Sequence, residues 1–155
     1  MNAILKARLA DVRRDLQAHA DSTIGFLAPP SLRRSFPEEV PPIYQEFLRE
    51  VDGAVCGVVM LFESDDLLQK QKLAKDAPGG KQRWFCFGSV EDYPLVLDRQ
   101  TGAVNLISED QDVDFGESLG DLDYFLLTCV LGPDYADFVV DPEDDGWYRL
   151  VRAYQ

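Results

Sequence analysis

Histidine is almost missing from this chain, with only His19 among 155 residues. Any mechanism that needs two histidines is thereby excluded. One turn after Leu16, His19 reads as a helix-end or core-edge residue. Cysteine is scarce as well. Cys56, Cys86 and Cys129 are widely spaced in apolar stretches, with no C-x-x-C pair and no Cys/His cluster. Zinc is therefore not expected, and buried free thiols in a reducing compartment are. The longest apolar run is residues 54–62, nine residues including Gly57, against about 20 for a spanning helix. The opening MNAILKARLADVRRD is charged throughout and lacks the apolar core of a signal peptide, so a cytoplasmic, membrane-free protein is expected. Positive charge is missing from one long stretch, since no Lys or Arg lies between Arg99 and Arg149.

That last gap locates the net charge of −13. Residues 1–50 carry seven acids and seven bases, and residues 51–99 carry eight and six. Residues 100–155 carry thirteen acids and two bases. Acidity gathered in one third makes a directional field that attracts a basic partner. It has the wrong sign for nucleic acid. An apolar fraction of 46% with nine Phe, six Tyr and two Trp supplies the core of one domain covering residues 1–155.

The hydrophobic pattern predicts an α+β fold. Leu5, Leu9, Val12 and Leu16 form one helical stripe. Residues 21–42, with five prolines between 29 and 42, read as a loop that pins the chain between two helices. Pro42 then opens a second helix with Ile43, Tyr44, Phe47, Leu48 and Val51 on one face, ended by Asp52-Gly53. Residues 54–62 are apolar on both sides and read as one central strand. A weak helix and loop follow over residues 64–82, then strands over 83–87, 93–98 and 103–108. Short connections between strands imply an antiparallel β-meander with flanking helices. Ser118 or Asp121 caps a helix over residues 122–131, stopped by Gly132-Pro133. The tail carries Trp147, Tyr148, Leu150, Val151 and Tyr154 and suits a last strand or a short helix equally.

The second helix reads Pro41-Pro42-Ile43-Tyr44-Gln45-Glu46-Phe47-Leu48 and closes on Asp52-Gly53. With Trp84-Phe85-Cys86-Phe87-Gly88, Leu95-Val96-Leu97-Asp98, Gly102-Ala103-Val104 and Asp121-Leu122-Asp123-Tyr124-Phe125-Leu126, it resembles the SUKH superfamily, the domain also found in fungal Smi/Knr cell-wall regulators. The resemblance covers residues 25–131 or so, and 132–155 form a C-terminal extension. Asp52 stands where the family shows Asn. The resemblance implies an immunity protein that neutralises a toxin, often a nuclease, or else an intracellular interaction scaffold of the Smi/Knr type with no toxin partner. Neither needs catalytic residues, so no enzyme activity and no cofactor are expected.

No nucleotide-binding, hydrolase-elbow or metalloprotease fingerprint occurs. No two of the twenty-eight acids stand out as a glycosidase pair. Asp110, Asp112, Asp114 and Asp121 have something of a calcium loop, but the glycine, the last ligand and the preceding helix are wrong for an EF-hand. A solvated acidic loop without a metal is expected. Trp84, Phe85, Phe87 and Tyr93 suit a ligand groove or a core, and strand spacing favours the core. Lys70, Lys72, Lys75 and Lys81 read as a solvated, mobile face. The expected partner site is a rim of Asp112, Asp114, Glu117, Asp141, Asp144 and Asp145, with Trp147 or Tyr148 as an exposed anchor and a basic toxin domain as the partner.

Overall fold

The computed structural model describes residues 1–19, 24–108 and 118–154. Six strands form one sheet in sequence order, each antiparallel to the next: β1 Gly25–Leu27, β2 Ala54–Cys56, β3 Val59–Leu61, β4 Trp84–Val90, β5 Tyr93–Asp98 and β6 Val104–Leu106. The helices are α1 Ala3–Ala18, α2 Pro42–Leu48, α3 Leu67–Lys70, α4 Gly80–Arg83, α5 Leu122–Tyr124 and α6 Gly146–Val151. The α5 helix runs on as a π-helical turn over Phe125–Val130. The expected α+β meander is the fold observed. No helix among the described residues is long and apolar enough to cross a membrane.

Local chemistry explains the helix positions. Asn2 caps α1 by accepting from the Leu5 N–H at 2.8 Å. Leu5, Leu9 and Val12 are buried along its inner stripe. Pro41 and Pro42 open α2, which buries Tyr44, Phe47 and Leu48. The chain then turns at Gly53, whose φ is +93°. Asp121 caps α5 through the Tyr124 N–H at 2.8 Å. Tyr44 sits at the centre of the core, its hydroxyl donating to the Phe62 and Phe87 carbonyls at 2.8 and 3.1 Å. The Phe85 and Phe87 rings lie 5.8 and 5.4 Å from its own. All three cysteines are free and buried, and burial pushes the Cys86 thiol up to about 12.

Two expectations are corrected and one open reading is decided. Residues 54–62 are not one central strand but the β2–β3 hairpin, turning at Gly57-Val58 with φ +61° at Gly57. Part of the proline-rich loop is the edge strand β1. Of the two readings open for the tail, the described residues show the short helix, α6.

The sheet is covered on one face throughout and on the other only in part. The segment from α3 to α4 covers the second face over β4 and β5. Where β3 ends, the Gln71 carboxamide replaces it, accepting from the Cys86 N–H at 2.9 Å and donating to its carbonyl at 2.7 Å. Trp84 is buried there, its indole N–H donating to the Pro78 carbonyl at 2.7 Å, while Phe85 and Phe87 are buried against Tyr44 on the other face. Over β1, β2 and β3 no described residue covers the second face fully, and Phe26, Val55 and Met60 stand exposed on it.

Candidate protein-binding surface

The strand registers build the bare face. Phe26 stands opposite Val55, and Val55 opposite Met60. The row continues to Ser89 and Pro94. Alternation turns Leu27, Ala54, Cys56, Val59 and Leu61 inward, and all five are buried. Phe26, Val55 and Met60 point the other way and are 58%, 40% and 46% exposed. Among the described residues, the other exposed apolar side chains, such as Leu32 and Val140, belong to no such row.

Concavities surround this row. One of about 200 Å³ runs across it between Phe26, Met60 and Phe62 and is bordered by Asp52, Glu63, Asp66 and Lys70. A broader one of about 760 Å³ lies between Phe26 and the Pro29–Pro30 loop, beside Leu32, Arg33 and Asp65. A third of about 490 Å³ lies between α1 and the outer edge of β1. Phe26 borders all three.

Two of the carboxylates around the row are already committed. Asp52 accepts from the Ser64 N–H at 2.7 Å and from its hydroxyl at 2.9 Å. Asp65 pairs with Arg33. Lys70 sits 5.0 Å over the Phe62 ring. The four carboxylates outnumber the two cations, so the rim is acidic. An apolar strip inside a charged rim is the anatomy of a protein interface.

The expected site is only partly brought together. Asp112, Asp114 and Glu117 lie outside the described residues, as does Asp110 of the calcium-like loop. Asp141 and Asp144 are exposed on a short 3₁₀ turn. Asp145 is structural, capping α6 through the Tyr148 N–H at 2.8 Å and accepting from the Tyr135 hydroxyl at 3.3 Å. That hydroxyl in turn accepts from the Val58 N–H at 2.9 Å. The acidic segment therefore sits beside the β2–β3 turn.

Trp147 is not an anchor. It is 1% exposed, and its indole N–H donates to the Val130 carbonyl at 2.7 Å. Its ring lies so close over Gly25 that a Cβ there would be 2.4 Å away. Tyr148 is half-buried, with the Arg152 guanidinium 6.0 Å over its ring.

Sequence reasoning missed the bare face. The usable signal was Gly57 between Ala54-Val55-Cys56 and Val59-Met60-Leu61. A two-residue turn there pairs Val55 with Met60 on one face. The chain matches no protein-family model and no curated protein.

Proposed function

We propose that this chain is a protein-binding, immunity-type protein of the SUKH kind that neutralises a basic toxin domain in the cytoplasm by covering its working surface. The observation that carries this reading is the row Phe26, Val55, Met60, exposed on the sheet face inside a rim of Asp52, Glu63, Asp65 and Asp66. Burying such a row removes apolar area from water at roughly 25 cal/mol per Å². The carboxylates steer a cationic partner and select against anionic ones. A toxin that acts on nucleic acid must present a basic cleft to its substrate, and an acidic cover is complementary to it. The exposed Asp141 and Asp144 extend the same negative field at the β2–β3 end of the sheet. Inhibition of this kind is steric and electrostatic and uses no catalytic group.

The test is affinity capture from the native host, followed by binding kinetics of the captured protein at two salt concentrations. A basic partner is expected, with association that slows as salt rises. Association indifferent to salt, or a partner without a basic surface, contradicts the reading.

A further inference from the structure

The two outer edges of the sheet are finished differently. Beyond β6, residues 119 and 120 close the edge. Leu119 donates to the Val104 carbonyl and Val104 to the Gly120 carbonyl, each at 2.8 Å. β1 has no counterpart among the described residues. Its ladder phase follows from one bond. The Ala28 N–H donates to the Gly53 carbonyl at 3.0 Å, so Ala28 and Phe26 turn their peptide groups toward β2. Gly25 and Leu27 turn theirs outward, because successive residues of a strand alternate. The two-residue β2–β3 turn gives the same phase independently, since it makes Cys56 and Val59 a bonded pair and leaves Val55 to bond Phe26.

The edge also lacks the usual guards. Gly25–Leu27 contains no charge and no proline, the devices that normally block pairing by another strand. The 490 Å³ groove alongside it is lined by Arg13, Leu16, Gln17, Phe26, Pro29 and Pro30, together with the strand itself. No carboxylate is among the described residues that line it. In a chain of net charge −13, this is a place where, among the described lining residues, two copies meet no opposing acid.

We propose that β1 pairs antiparallel with β1 of a second copy, joining two six-stranded sheets across a two-fold axis. Only a register centred on Phe26 uses all the outward groups of the three-residue strand. Gly25 then faces Leu27 of the other copy, and Leu27 faces Gly25, which makes four backbone hydrogen bonds. Phe26 meets its own copy in a non-hydrogen-bonded pair, where side chains approach most closely. Both rings lie on the bare face, so they contact each other as a cross-strand aromatic pair. The contact is isologous and closes at two subunits. It goes beyond the partner reading, because it needs no partner, and the two Met60–Val55–Phe26 rows become one continuous strip still open from above.

Sedimentation of the purified chain alone tests it. A concentration-dependent dimer is expected, tightened by added salt, because salt screens the mutual repulsion of two acidic copies. Phe26→Lys places like charges opposite each other and removes the ring pair. It should weaken the dimer by about tenfold or more with an unchanged melting curve. Phe26→Cys should form a disulfide-linked dimer under oxidised glutathione, because Cα atoms in such a pair are about 4.5 Å apart and the native cysteines are buried. Met60→Cys, 46% exposed on the same face, should link far more slowly. A chain that stays monomeric throughout, a dimer indifferent to Phe26→Lys, or equal cross-linking of the two cysteine variants overturns the proposal. No partner protein is present, so failure here leaves the proposed function standing.

Discussion

Across β1, β2 and β3, one face of the sheet presents Leu27, Ala54, Cys56, Val59 and Leu61, and the other presents Phe26, Val55 and Met60. Both sets are apolar and share the same strands. The first is buried against helices, while the second stands 40–58% exposed. Alternation alone would give a polar outer face, as on most half-solvated antiparallel sheets. An apolar outer face adds little to folding and leaves water-exposed area to be covered by something else. The same residue types therefore serve stability on one side and recognition on the other, and substitutions should separate the two.

The largest effects are expected on the covered side. Phe47→Ala and Trp147→Ala should each cost about 3–5 kcal/mol, read as a shifted denaturant midpoint. Both side chains are 1% exposed. Near-native stability of Trp147→Ala would return Trp147 to the surface and undo the distinction between the faces.

A smaller loss is expected at Asp98, which is 3% exposed on β5. Burial alone would raise its carboxyl. The Gln100 N–H at 2.8 Å and the Arg83 guanidinium at 3.1 Å outweigh this and hold it below the ordinary 3.8. A depressed carboxyl stabilises the fold fully above its unfolded value, and that contribution is lost as pH falls through the lower folded value. Asp98→Asn should therefore lower stability at neutral pH and flatten its fall below about pH 4. An acid limb identical in both proteins would show that Asp98 contributes nothing.

Tyr135→Phe should cost about 1 kcal/mol. It removes the hydroxyl that accepts from Val58 at 2.9 Å and donates to Asp145 at 3.3 Å. The smallest stability effects belong to the bare face. Val55→Ser and Met60→Ser should shift stability by about 0.5 kcal/mol or less. Larger losses would mean that this face is covered within the fold.

Elements with a local signature were legible in the sequence. The stripe of Leu5, Leu9 and Val12, the stop at Gly53 and the span of β5 were all readable because periodicity and turn chemistry act over a few residues. The β2–β3 hairpin was not. In one continuous strand Val55 and Met60 would point to opposite faces, both buried, whereas the turn at Gly57-Val58 sets them opposite each other on one face, where both are exposed. Trp147 was misjudged for a related reason. Its burial depends on Gly25, remote in sequence, leaving room for the ring. β1 was hidden because three residues before a proline pair carry no period. Of the expected site, the general acidity of the surface was legible, and the apolar row it surrounds was not.

The most direct measurement is the binding kinetics of the double variant Val55→Ser, Met60→Ser against the protein captured from the host, beside a melting curve. Desolvated anchors act on dissociation. The variant should melt like the wild type and dissociate about tenfold faster or more, with association slowing as salt rises in both proteins. Wild-type dissociation from a folded double variant would contradict a partner site on this face.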